Sequence, residues 1–517
     1  MFEYGKIGNT IMEYNSQRAL TNTAWNMISY GWPILFSIII TPIVVNSLGI
    51  RDYGIYTFFN TVISLLGLLD LGVSTAISKY LAEYYGQGNK ERIKKLLGTT
   101  LSIFLGIGII GLLVFILGAI IPSLFDNLTD YSKYRVGIIF AGMTFFVMVM
   151  SSIYSITFTS LQRFDIGSKI GITMLTAQQI SILILVLLKY SINEIFVVQF
   201  IIAILSYFTQ KHIAEKILPE LPKEFSWDSI EAKKCYKFGL VTFVNNIATT
   251  SLTYLDRLIM PFFLGPSSLT YYSLPGNIAS KIPGVSNSLS GILFPMTSSL
   301  HGLGDLEKIK TLYIRSFRLI TVIAASVTVT ILAYAYPILK YWISVDLAEK
   351  ASSVLIILAI TNFILALAGP LSSFLLGLGK LKFLTTLSLS MASLNTLLLV
   401  ILLPFAGIKG AAWAYLLSLL PVAYMFYFTE KHYLSLLERK KYYKKMFLGN
   451  IFVSIIIFMI AKFLLIQFIT NLVMILVIGG FTIILYIVLY WRLDYFEKED
   501  VESIKLFIRR IIKKIYK

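Results

Sequence analysis

The chain has 517 residues, 57% of them apolar and 14% charged, against roughly 45–50% and about 25% in soluble domains, which excludes a water-soluble globule. One cysteine and three scattered histidines exclude a disulfide scaffold and a multi-histidine metal centre. The formal charge of +18 points to nucleic acid or a membrane surface, and the placement of the basic residues has to separate the two.

Residues 1–18 read as a cytoplasmic segment. Met1 to Leu20 carries Glu3, Glu13 and Arg18 and lacks the apolar core and small-residue site of a cleavable signal, so the first span is expected to stay in the membrane. About fourteen stretches long enough for a hydrocarbon core of roughly 30 Å follow. They fall near 19–45, 53–82, 96–121, 135–160, 166–189, 193–213, 238–263, 268–299, 311–335, 350–378, 382–403, 409–430, 446–467 and 471–491. Runs such as Ile107 to Ile121 do not alternate as barrel strands do. The expected fold is an all-α integral membrane protein. Basic residues gather at alternate hairpins, with Arg92, Lys94 and Lys95 at one, Lys308 and Lys310 at another, and Arg439 to Lys445 at a third. Cytoplasmic loops are enriched in this way, so both termini are expected in the cytoplasm. Basic residues spread over separate hairpins also argue against nucleic acid as a partner. In the tail, Ile504, Phe507, Ile508 and Ile511 fall opposite Lys505, Arg509 and Arg510 at helical spacing, which fits an interfacial helix or a solvated basic tail.

The segment Gly86-Gln-Gly88-Asn89-Lys-Glu91-Arg92-Ile93 matches Gly302-Leu-Gly304-Asp305-Leu-Glu307-Lys308-Ile309, 216 residues later. The same register pairs Leu48-Gly49 with Leu264-Gly265, Tyr56 with Tyr272 and Ser64 with Ser280. These matches predict two duplicated lobes of six helices, an N-lobe at 19–216 and a C-lobe at 238–435, joined by a cytoplasmic linker at 217–237. Spans thirteen and fourteen (436–491) and the tail (492–517) lie outside the repeat. Two lobes related by an axis along the membrane normal suit alternating access, although a duplicated channel would repeat in the same way.

Charges well inside a span cost at least about 2.5–3.5 kcal/mol each and usually face a bundle interior or a watery cavity. Here they are Asp70, Asp256, Arg257, Lys281 and Lys462. Span seven carries Asn246, Thr249, Thr253, Asp256 and Arg257 as a stripe, and span eight carries Asn277, Ser280, Lys281 and Asn287. Spans one and two carry Asn22, Asn26, Asn60, Ser64, Asp70 and Ser74, so the first two helices of each lobe are expected to line a shared polar cavity. Lys281 has no acid one turn away and is the better candidate for a substrate anion. Asp256 and Arg257 could instead neutralise neighbouring helices. Asp70 reads as an ion or proton site or as the partner of a cavity cation, and Lys462 as a residue snorkelling to an interface. Pro275, Pro283 and Pro295 predict bending in span eight, with a hinge near Lys281. There is no phosphate-binding G-x-x-x-x-G-K-[ST] loop and no nucleophile constellation; Cys235 reads as incidental, so no enzyme is expected.

The run Ser47-Leu48-Gly49-Ile-Arg-Asp-Tyr53-Gly54-Ile-Tyr56, with Leu68-Leu69-Asp70-Leu71-Gly72 and the Gly88-Asn89 turn, resembles the polysaccharide transporter family of lipid-linked oligosaccharide flippases. Tyr254-Leu-Asp256-Arg257-Leu258 and Phe263-Leu264-Gly265 are similar to that family's seventh helix and following loop, and the resemblance covers roughly residues 19–435. It implies a superfamily shared with multidrug and toxin extrusion antiporters and lipid II flippases. It also implies transport of a polyprenyl-linked oligosaccharide to the outer leaflet of the plasma membrane, and onward contact with glycan polymerase or glycosyltransferase machinery. On that analogy Arg257 and Lys281 contact phosphate or acidic sugar, with Asp256, Asn246 and Asn277 beside them, and Arg18 attracts the head group. The lysine in span eight and the lack of an arginine deeper than Arg18 in span one depart from lipid II flippases. No cofactor is expected, and the driving force would be Na+, H+ or the membrane potential. The alternative reading is a cation-coupled multidrug antiporter.

Overall fold

The structure is a computed structural model that describes residues 31–120, 131–222, 224–433, 447–493 and 495. These residues are helical almost throughout. Among the described residues, ten helices are long and apolar enough to cross a membrane, or eleven if one bent pair counts as a single span. Every one of the fourteen expected stretches contains helix. The seventh and eighth fall outside that set, the eighth being broken into Pro266–Ala279 and Gly284–Gly302, and the eleventh and twelfth run together over Leu381–Tyr433. The expected basic amphipathic tail and Arg18 lie outside the described residues.

The chain forms two compact units, 1–270 and 271–517. The first holds α1 (Gly31–Leu48), α2 (Ile50–Leu66), α3 (Val73–Gly86), α4 (Lys90–Ile120), α5 (Arg135–Ser160), α6 (Phe164–Leu187), α7 (Ile192–Ile217) and α8 (Ser229–Leu264). The seventh span therefore packs within the first unit, whereas the duplication groups it with the C-lobe. Helices α2 and α3 are the bent pair, turned by 52° at their junction. The bend is a 3-10 turn, Gly67–Asp70, followed by Leu71 and Gly72, both at positive φ. A methyl group on Gly72 would overlap the Gly239 carbonyl and the Thr242 hydroxyl, and one on Gly239 would lie 2.8 Å from the Leu71 carbonyl oxygen. Two glycines thus let the bend touch α8 backbone to backbone.

The expected linker is partly structured. Leu218 and Leu221 are buried in a core with Ile77, Leu81, Leu96 and Tyr84, and α8 starts at Ser229 under an Asp228 cap. Ser102 Oγ donates to the Ser226 carbonyl at 2.9 Å, and the Asp228 N–H donates to Thr99 Oγ1 at 3.0 Å. Beside them Tyr84 donates to buried Glu231 at 2.9 Å, and Lys234 Nζ reaches Glu231 at 2.8 Å and Tyr84 at 3.0 Å. The Glu231 hydrogen bond, then the one to Tyr84, raises the Lys234 pKa above the ordinary lysine value. A raised lysine stabilises the folded state fully below its ordinary value and loses that contribution as pH climbs through the raised one. Glu231→Ala leaves a buried phenol and a lysine without their acceptor and is expected to cost about 1–3 kcal/mol. A lowered thermal midpoint in detergent at pH 7 would show it, and in native protein the same network should weaken only in strongly alkaline buffer. The neighbouring Cys235 thiol is pushed up to about 12 by burial and then by Glu231, which keeps it protonated and unreactive.

The second unit holds α9 (Pro266–Ala279) from Tyr271 on, α10 (Gly284–Gly302), α11 (Leu306–Trp342), α12 (Val345–Gly377), α13 (Leu381–Ser418), α14 (Leu420–Tyr433), α15 (Gly449–Ile460) and α16 (Leu472–Arg492). Of the three prolines in the eighth span, only Pro283 stands at a break; Pro275 and Pro295 lie inside helices. Pro404 and then Gly407, at φ 57°, separate the two spans within α13. Spans thirteen and fourteen pack on α11, where Val322, Ala325 and Val329 meet Val453, Ile457 and Tyr486.

Local geometry repeats where the sequence does. Gly49 has φ 83° and ψ 162°, and Gly265 has φ 78° and ψ 165°. Gly88 (φ 66°) and Gly304 (φ 71°) recur likewise, and the next residue caps a helix each time. Asn89 Oδ1 accepts from the Arg92 N–H and Asp305 Oδ1 from the Lys308 N–H, both at 3.1 Å.

Candidate functional site

The sequence-derived site residues divide between the units. Asn246, Asp256 and Arg257 lie on α8 in the first unit. Ten residues separate Asn246 from Asp256, about 15 Å along a helix. Asp256 is buried and accepts the Arg257 backbone N–H at 2.7 Å. The Arg257 Nε is buried without a hydrogen-bond partner, and its charge reaches the Tyr53 phenol. A guanidinium carries five donors, and one buried without an acceptor is costly.

Lys281 and Asn277 lie in the second unit. Lys281 sits in the break between α9 and α10, where the chain is held only by turn bonds such as Lys281 N–H to the Ile278 carbonyl at 3.1 Å and Gly284 N–H to the Lys281 carbonyl at 3.1 Å. It is exposed and enters none of the ion pairs among the described residues. Asn277 is exposed one turn earlier, and its carbonyl accepts from Ser280 Oγ at 2.9 Å. Asp70 is engaged differently: its two oxygens accept the Ser74 N–H at 3.1 and 3.2 Å and the Ser74 hydroxyl at 2.9 Å, capping α3 after the bend. Lys462 is exposed in a π-helical turn, Ala461–Leu465.

The family-like run at 48–56 serves packing and positioning. Asp52 accepts from Tyr134 at 2.7 Å and Lys133 at 3.3 Å, and Gly54 allows α2 to approach the Pro266 carbonyl. The Tyr56 hydroxyl accepts from Gln199 at 2.8 Å, on the wall of a cavity that sequence reasoning missed. That cavity has two adjoining chambers of about 470 and 460 Å³ within the first unit, which share Ser155, Ser206 and Gln210. Asn60 and Ser64, both in the expected stripe, line one chamber, but most polar lining comes from α5, α6 and α7. The signal was present in the chain: Gln199, Ser206 and Gln210 recur at helical spacing on α7, and Met148, Ser151, Ser152 and Ser155 do the same on α5. Being uncharged, these residues carry none of the insertion cost that makes a buried charge conspicuous.

The model of the family described as polysaccharide biosynthesis protein matches residues 19–301, and that of the MatE family matches 242–401. A Shigella flexneri protein provisionally named an O-antigen transporter is 22% identical over 370 residues, covering 70% of this chain and 86% of that protein. The lipid II flippase MurJ in an inward closed conformation superposes with a TM-score of 0.70 at 15% identity, covering 91% of this chain and 99% of MurJ. An outward-facing multidrug resistance transporter of the MATE family aligns with a TM-score of 0.57 at 12% identity, over 80% of this chain and 95% of its own. The fold is thus the one these transporters share, and this multi-pass membrane protein belongs to the polysaccharide biosynthesis protein family.

Proposed function

We propose that the chain is a flippase that moves a polyprenyl-(di)phosphate-linked oligosaccharide from the inner to the outer leaflet by alternating access, with both termini in the cytoplasm. The observation that carries this reading is the buried, unpartnered Nε of Arg257 in the first unit, together with Lys281, exposed on the break of the eighth span and outside the ion pairs among the described residues, in the second. Such groups are retained where an anion uses them, and a phosphate head group is that anion in a family of polysaccharide assembly. The name of the Shigella relative and the fold of MurJ support the same class of cargo. An inside-negative potential is worth about 2.3 kcal/mol per charge per 100 mV, so an outward-moving diphosphate travels downhill without ATP. The flipped lipid would then meet a polymerase or glycosyltransferase outside.

The test is leaflet exchange of a fluorescent polyprenyl-diphosphate oligosaccharide in proteoliposomes, read with an impermeant quencher under an imposed potential. Exchange dependent on the protein is expected; its absence, with proton or sodium flux driven by cationic dyes, would establish the antiporter reading that the MATE likeness favours. Asp70→Asn separates the driving forces. Asparagine caps a helix as well as aspartate, so potential-driven exchange is expected to survive the change. An Na+ or H+ dependence that disappears in this variant would give Asp70 the coupling role instead.

A further inference from the structure

We propose that the two-chambered cavity of the first unit holds the uncharged sugar rings of the transported glycan, apart from the basic groups that take the phosphate. The inference rests on the flippase reading above and concerns a different set of residues. The chamber between α2, α5, α6 and α7 is lined by amides, hydroxyls and apolar groups and contains no charged side chain among the described residues. In the adjoining chamber the one charged residue among those described, Arg163, is bound to Asp165 through two hydrogen bonds of 3.0 and 3.1 Å. Neither a phosphate nor a cationic drug finds an available counter-charge on these walls.

The hydrogen-bonding pattern suits a polyol. Thr144, Ser151 and Ser152 each donate to the carbonyl one turn back in their own helix, so their oxygens face the cavity as acceptors. Gln199 uses one N–H on Tyr56; Gln210 uses one on Ser206 at 2.9 Å and accepts from Ser155 at 2.7 Å, which leaves each amide a second N–H. Gln178 makes no side-chain hydrogen bond among the described residues. A wall that offers many acceptors and a few spare amide donors matches a ligand whose every hydroxyl both donates and accepts. At one chamber's edge the Trp32 indole is fixed by a 2.8 Å hydrogen bond from Nε1 to Thr176 Oγ1, and its electron-rich face can stack on the C–H face of a sugar ring. Each chamber lies within the roughly 300–1,000 Å³ range of small-molecule sites, enough for a short oligosaccharide.

The test compares equilibrium binding of two probes to the full chain in nanodiscs: polyprenyl diphosphate alone, and the same lipid bearing a neutral N-acetylhexosamine tetrasaccharide. The native protein should bind the sugar-bearing lipid about tenfold more tightly, the yield of two or so neutral hydrogen bonds. Gln178→Leu with Gln210→Leu should bring that ratio to one and leave affinity for the bare lipid unchanged, which also shows that the variant is folded. Lys281→Ala should weaken both probes equally and keep the ratio. A native ratio of one, or a tenfold ratio that survives the double substitution, overturns the cavity assignment alone. If neither probe binds the native protein, the flippase reading falls and this inference falls with it. Should the double variant fail to fold, Ser155→Ala, which removes a donor to Gln210, is expected to reduce the ratio two- to threefold, and an unchanged ratio would again overturn the assignment.

Discussion

Replacing Lys281 or Arg257 by alanine is expected to stop leaflet exchange of the diphosphate-linked probe, or slow it by about ten- to a hundredfold, while the protein remains in the membrane at native abundance. Each substitution removes one charge-assisted contact to phosphate, worth about 1.5–3 kcal/mol. Neither removes a carboxylate or leaves a hydrogen-bond partner behind: Lys281 is exposed in a helix break, and the buried Arg257 Nε has no hydrogen-bond partner. Lysine at 257 should restore part of the rate, because a point charge attracts phosphate without the bidentate fork. Lys462→Ala serves as the control, since its side chain is exposed in the π-helical turn of the thirteenth span and full exchange is expected. Normal exchange in both the Lys281 and Arg257 variants would remove these residues from the translocation path.

The second large effect is structural. Gly72→Ala is expected to destabilise the first unit by at least about 3 kcal/mol, which combines the strain of a side chain at φ 75° with overpacking against α8. The obstacle is the Gly239 carbonyl, part of a helix backbone that has no rotamer with which to move aside. The variant should show a depressed thermal midpoint in detergent and low recovery of monodisperse protein. Gly86→Ala is the matched control: nothing lies within 4 Å of a methyl group there, and near-native stability is expected. Equal stability of the two variants would contradict the close contact between the bend and α8.

Helical class, approximate span positions and the break beside Lys281 were all legible in the chain, because apolar runs of membrane length and a proline are strong, local signals. The 52° bend in the second span was not. It has Gly72, at φ 75°, against Gly239 of α8, and a glycine inside an apolar stretch does not announce whether it bends a helix or admits a neighbour. Span edges blurred where Pro404 and Gly407 kink α13 without ending it. For the candidate site, charged residues drew attention because burying them is costly, and this singled out Arg257 and Lys281. The same emphasis passed over Gln178, Gln199 and Gln210, whose common cavity becomes visible only when α6 and α7 pack beside α2 and α5. Asp70 has a role that its apolar surroundings did not announce: both carboxylate oxygens accept from Ser74 in the first turn of α3.

The contact between Gly72 and Gly239 also sets an order of events during synthesis. The bend of the second span has its partner on α8, beyond the 217–228 segment, so the first unit is incomplete when its sixth span emerges. At roughly 5–20 residues per second, the ribosome needs about 2–10 s more to deliver the stretch from 217 to 264. During that interval the α3 surface that will receive α8 lacks its protein cover. Pausing within that stretch would prolong the exposure, and the nascent chain would then be open to membrane quality-control proteases before the second half exists.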